Sequence, residues 1–181
     1  RNVTVAQAQA IIAALPPFVT VVALFVNPSE QEVQQVLAAC AIDVLQFHGE
    51  ESPAFCRSFQ RPYLKAVRVR AGMDLAAYAA NYHDARGLLT DAFVEGAHGG
   101  TGAVFDWTLI PAELPLPLIL SGGLDAANVA DAVARVRPAA VDVSSGVEAG
   151  KGIKDPARVA SFVAAVRQGE ISIVQGADPA L

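Results

Sequence analysis

Apolar positions along the chain switch repeatedly between two periods. Residues 18–26, FVTVVALFV, form a nearly continuous β-branched and aromatic run, the pattern of a strand buried on both faces. Residues 28–41, PSEQEVQQVLAACA, then space their apolar side chains helically, with Ser29 as N-cap and acidic residues in the first turn. The alternation continues with a strand at 42–48 (IDVLQFH), a short helix at 50–60, a strand at 63–69 (YLKAVRV) and a helix at 74–83 capped by Asp74. Further strands follow at 87–92 (GLLTDA), 115–123 (PLPLILSGG) and 139–145 (AAVDVSS), and helices at 125–136 and 155–168, the last with Pro156 in its first turn. An additional helix at 4–15 precedes the first strand, and residues 171–181 read as a C-terminal tail after a single domain of residues 1–170.

Strand–helix alternation with short links predicts βαβ units and a parallel sheet. The leading helix calls for a strand ahead of it, so the pattern predicts an α/β fold, an incomplete (β/α)8 TIM barrel. An open doubly wound sheet is the alternative, weakened because neither GxGxxG nor GxxxxGK[ST] follows any strand.

Composition narrows the picture. A 53% hydrophobic share supplies a core, and no apolar run approaches the roughly 20 residues that span a bilayer. The net charge of −5, with Lys and Arg scattered outside 61–70, argues against nucleic acid as a partner. Cys40 and Cys56 have neither CxxC nor Cys/His spacing, so no metal or disulfide framework is signalled and a cytoplasmic home fits. The chain opens with RNVTVAQAQ and no initiator Met, which suggests missing upstream material.

Either α/β architecture works at the carboxyl ends of its strands. There the sequence places Asn27, then Gln46, His48 and Gly49, then Lys65, Asp91, the GGTG run at 99–102, SGGLDAANV at 121–129 and DVSSGVE at 142–148. Gly122 and Gly123 on one strand end, and Ser144, Ser145 and Gly146 on the next, form a candidate phosphate cradle. Glycine admits close backbone approach, and amide N–H groups there point at an anion. Asp91 follows the apolar pair Leu88–Leu89. Burial there makes a carboxyl hold its proton to higher pH, as a general acid requires, although the residue could equally cap the following loop. His48 could donate to substrate or be a structural hydrogen-bonder. Lys65 could reach inward or snorkel. His83 and His98 read as surface and loop residues, and Trp107 as a core residue closing the loop.

LFVN (24–27), DVLQFHGEE (43–51), GGTGAVFDW (99–107), LSGGLDAANV (120–129) and VDVSSGVEAGKGIKD (141–155) together resemble the phosphoribosylanthranilate isomerases of tryptophan biosynthesis, in order from residue 1 to about 168. The resemblance implies a (β/α)8 barrel whose strand 1, helix 1 and most of strand 2 are missing from the chain as given. It implies an Amadori rearrangement of N-(5-phosphoribosyl)anthranilate that needs neither metal nor cofactor. Asp91 is then the general acid. Gly122, Gly123, Ser144, Ser145 and Gly146 hold the phosphate, with Asp142 and His48 among the substrate-binding residues.

In that family the general base is a cysteine in a KICG-like motif on the first strand, absent here, and Arg1 matches the end of an SPR motif whose arginine faces the anthranilate carboxylate. A chain lacking that base would turn over no substrate while still binding phosphate. The small-molecule substrate is the expected partner, with no nucleic acid or membrane, and the protein is a monomer or homodimer. A non-catalytic phosphate-sugar binding barrel or degenerate fragment is a second reading. Indoleglycerol-phosphate synthase is a third, which would be expected to show additional Lys and Glu at strand ends that this sequence does not have.

Overall fold

The computed structural model describes residues 2–92 and 106–176. Arg1, His98 and the GGTG run at 99–102 lie outside them. Six strands, β1 (Val22–Phe25), β2 (Val44–Phe47), β3 (Tyr63–Val69), β4 (Gly87–Ala92), β5 (Leu118–Leu120) and β6 (Ala140–Val141), form one parallel sheet in sequential order. Between them run α2 (Glu30–Ala39), α3 (Pro53–Ser58), α4 (Leu75–Asn81) and α5 (Val129–Val136), with α1 (Val5–Ala13) ahead and α6 (Pro156–Gly176) behind. Ser29 and Asp74 cap the following helices by accepting a backbone N–H, as the sequence predicts, and Ser52 does the same for α3.

Strand alternation divides the sheet into a helix-covered face and an open face. Leu45, Phe47, Tyr63, Val67, Val69 and Leu88 pack under α2, α3 and α4 in one buried cluster, and Leu120 packs with Val129, Val133 and Phe162 of α5 and α6 in a second. Phe47 touches the rings of Phe25, Phe55, Phe59 and Tyr63, which locks β1, β2 and α3 together.

Two sequence expectations need correction. Strand 18–26 contracts to Val22–Phe25 and is buried on one side only. Val21, Ala23 and Phe25 pack on the core, whereas Val22, Leu24 and Val26 are 44%, 55% and 42% exposed. Continuous hydrophobicity signals two covered faces, but β1 stands at an end of the sheet and hydrogen-bonds to β2 alone among the described strands. The stretch 171–176, expected as tail, continues α6. Its Ile173 packs on the cluster built by Val129, Val133 and Phe162, so the helix is extended by a neighbour rather than by its own weak pattern.

Candidate active site

Parallel register puts a single row of side chains across the open face at the carboxyl end of the sheet. Arg68 is level with Asp91, and His48, Ser121 and Asp142 each follow a paired strand residue on neighbouring strands. Asp91 is 4% exposed. The His48 ring comes to it across the sheet, Nε2 to Oδ2 at 3.1 Å, with side-chain exposures of 11% and 5%. The Gln46 amide nitrogen lies 3.3 Å from His48 Nδ1. An amide N–H donating to Nδ1 leaves the ring proton on Nε2, where it is donated to Asp91 Oδ2. The arrangement can therefore hold the Asp91 carboxyl in a fixed orientation, with Oδ1 the oxygen able to carry an acidic proton, at the carboxyl end of the sheet. Asp91 lies on β4, beside His48.

Arg68 is a member of this row that the sequence reading passed over. Only the register reveals it, because Arg68 and Lys65 both look like cations on one strand until alternation sends them to opposite faces.

Lys65 goes to the helix-covered side. Its Nζ, fully buried, donates to the carbonyls of Gly49 at 2.6 Å, Ala66 at 3.1 Å and Phe47 at 3.3 Å and to Glu51 Oε2 at 3.1 Å. The Tyr82 ring stands 5.7 Å away, and its hydroxyl donates to the Glu51 carbonyl. Glu51 in turn accepts the N–H of Asn27 at 2.7 Å and of Gly49 at 2.9 Å. Lys65, within β3, and Glu51, after β2, are thus both consumed in fixing the 47–51 loop that carries His48.

The glycine and serine pairs expected to form a cradle lie in two turns that touch each other. Gly122 and Gly123 have φ of 91° and 67°, a conformation that favours glycine. Among the described residues the amide N–H groups of Gly122, Gly123 and Ser144 donate to no protein acceptor. Asn128 fixes the first turn by donating to the Gly123 carbonyl at 2.9 Å. Ser121 Oγ donates to Asp142 Oδ2 at 3.0 Å, bridging β5 to β6. Ser145–Val147 forms a short 3-10 turn whose Gly146 lies against Leu124, where a Cβ would come 2.0 Å from the carbonyl oxygen. Gly146→Ala is accordingly expected to cost about 1–3 kcal/mol of stability in urea denaturation. An unchanged midpoint would show that the two turns do not depend on this contact.

Of the expected site residues, the fold joins His48 to Asp91 and draws Gly122, Gly123, Asp142, Ser144, Ser145 and Gly146 into one corner. Arg1 lies outside the described residues. Neither cysteine can be a base here. Cys56 is fully buried on α3 with its thiol pushed up to about 12 by burial, and Cys40 is buried just after α2. His83 is exposed, as read from the sequence, and Trp107 packs partly buried against the second cluster.

Residues 1–165 match the family model described as N-(5'phosphoribosyl)anthranilate (PRA) isomerase. A relative named N-(5'-phosphoribosyl)anthranilate isomerase from Pseudomonas fluorescens is 58% identical over 173 residues, covering 96% of this chain and 82% of the relative. Phosphoribosyl anthranilate isomerase from Thermotoga maritima superposes with a TM-score of 0.81 at 36% identity, over 91% of this chain and 81% of that one. A further structure, of the same enzyme in complex with reduced 1-(o-carboxyphenylamino)-1-deoxyribulose 5-phosphate, gives a TM-score of 0.78 at 36% identity, covering 91% and 80%. With the motifs, the six-stranded parallel sheet and these likenesses in agreement, the chain belongs to the N-(5'-phosphoribosyl)anthranilate isomerase family of tryptophan biosynthesis.

Proposed function

We propose that the site carries out the Amadori rearrangement of N-(5'-phosphoribosyl)anthranilate, with Asp91 as general acid and the paired turns as the phosphate grip. The observation that carries this reading is the placement of a buried His48–Asp91 pair and a backbone cradle at one end of one sheet. Asp91 gives a proton to the furanose ring oxygen. The C1–O bond breaks as the anilino nitrogen's lone pair forms an iminium. A base removes the C2 proton to leave an enolamine, which ketonises at C2 as C1 takes up a proton. C1 is reduced while C2 is oxidised, so the step is internally redox-neutral and calls on no external electron carrier. His48 orients the Asp91 carboxyl through Oδ2, and the carboxylate takes a proton back from the C2 hydroxyl as the enolamine ketonises.

The phosphate end binds Gly122, Gly123, Ser144, Ser145 and Gly146, Asp142 faces the sugar hydroxyls, and Arg1 takes the anthranilate carboxylate by two-point contact. The base is a cysteine on a further strand. Two more strands with their helix would close the sheet into a (β/α)8 barrel between β6 and β1, covering Val22 and Leu24 at one edge. At the other edge they would fill the apolar groove lined by Val141, Val143, Val159 and Val163. No helix among the described residues is long and apolar enough to cross a membrane. The reading as a phosphate-sugar binding module without catalysis is disfavoured by a carboxyl buried beside His48 at the same end of the sheet.

The test joins the first two strands of the Pseudomonas fluorescens relative ahead of residue 1 and follows the fluorescence decay of freshly made phosphoribosylanthranilate. Accelerated decay, lost when the grafted cysteine is replaced by serine, is expected. A protein that binds inorganic phosphate yet never accelerates the decay would instead be the binding module.

A further inference from the structure

Three carbonyls in and just after the second turn, those of Ser144, Val147 and Glu148, are held by the segment immediately after it. Lys154 Nζ donates to the Ser144 carbonyl at 2.7 Å and to Glu148 Oε1 at 3.1 Å. The Asp155 N–H donates to the Val147 carbonyl at 2.8 Å, and Arg158 donates to the Glu148 carbonyl. Glu148 is itself only 7% exposed, and it pairs with Lys154 across the antiparallel hairpin of Glu148–Gly150 and Ile153–Lys154. On the inner side, Gly146 is pressed against Leu124 and Asp125. The turn is clamped between these two surfaces.

A trans peptide points its C=O and N–H in opposite directions. Fixing the Ser144 carbonyl toward Lys154 therefore turns the N–H of Ser145 the other way, toward the cradle. Ser144 sits at φ −117° and ψ −81°, outside the helical and extended wells, and has no side-chain cap bond to hold it there. Its orientation needs an external holder, and Lys154 is the side chain that reaches it. Lys154 is about half exposed, with a side-chain exposure of 47%, so its ammonium is not part of the core.

We propose that Lys154 is a positioning residue of the phosphate grip, acting through the Ser144 carbonyl to aim the Ser145 amide at the anion, with Glu148 anchoring the ammonium. This rests on the reading of the paired turns as the phosphate site. It makes a lysine outside both turns set how tightly the phosphate end is held, while the proton chemistry at His48 and Asp91 is untouched. Lys151 lies in the turn of the same hairpin and is exposed.

The experiment compares wild type, Lys154→Met, Lys154→Arg and Lys151→Met in the full chain, titrating inorganic phosphate and, in the isomerase bearing the grafted strands, separating KM from kcat. Lys154→Met is expected to weaken phosphate binding and raise KM about tenfold, the effect of losing one charge-assisted hydrogen bond, with kcat within about twofold. Lys154→Arg, which keeps a donor in reach, recovers most of that loss, and Lys151→Met changes neither constant beyond about twofold. Equal losses in the two Met variants would mean a diffuse charge effect and overturn the proposal. So would unaltered phosphate binding in Lys154→Met, or a kcat that falls in step with KM. Wild type that binds no phosphate overturns the cradle reading itself, and the proposal with it.

Discussion

In the isomerase bearing the grafted strands, Asp91→Asn is expected to lower kcat by about 10²–10⁴-fold while leaving KM within about threefold, the signature of a group that acts in the transition state and not in binding. Asparagine preserves the shape and can still accept from His48 Nε2, but it has no acidic proton to give the ring oxygen. The side chain is buried beside His48 at 3.1 Å, so a water cannot readily stand in for the lost carboxyl. Steady-state kinetics on phosphoribosylanthranilate decide the matter. A kcat within threefold of wild type would move the proton donor elsewhere on the sheet. His48→Gln serves as the companion variant: a smaller loss, with an altered pH profile, is the result expected of a residue that orients the acid.

The second large effect is on stability. Lys65→Met leaves Glu51 as a buried carboxylate with its cation gone, and breaking such a pair costs about 3–5 kcal/mol. Both side chains are essentially inaccessible, at 0% and 2%. Three carbonyls also lose a donor. Adding Glu51→Gln to Lys65→Met removes the stranded charge and is expected to return a substantial part of that loss. The two substitutions should therefore be non-additive by about 1 kcal/mol or more in urea denaturation. Simple additivity would mean that the carboxylate and the ammonium do not depend on each other. Because Glu51 also holds the N–H of Gly49, next to His48, the single variant should lose activity before it loses its fold.

Much of this site was legible in the amino-acid sequence, and the legible part shares one physical origin. Order and type of elements, the caps at Ser29 and Asp74, and the glycine and serine turns all depend on contacts within a few residues of chain. Periodicity and turn chemistry record such contacts directly. The family motifs then attached roles to Asp91 and to the turn residues.

What the tertiary structure alone decided are the facts that depend on register and on neighbours. His48 meets Asp91 across 43 residues of sequence, a contact visible only once β2, β3 and β4 are laid side by side. Lys65 and Arg68 differ by three positions, and strand alternation sends one into the helix layer and the other to the open face beside Asp91. Hydrophobicity predicted two buried faces for the first strand, but burial belongs to whatever lies across from a side chain, and Leu24 faces nothing among the described residues. Residues 171–176 lack a strong helical signal of their own and are helical because Ile173 has a surface to pack on. Local energetics write elements into a sequence, whereas pairings between distant residues exist only after the chain has closed the loops between them.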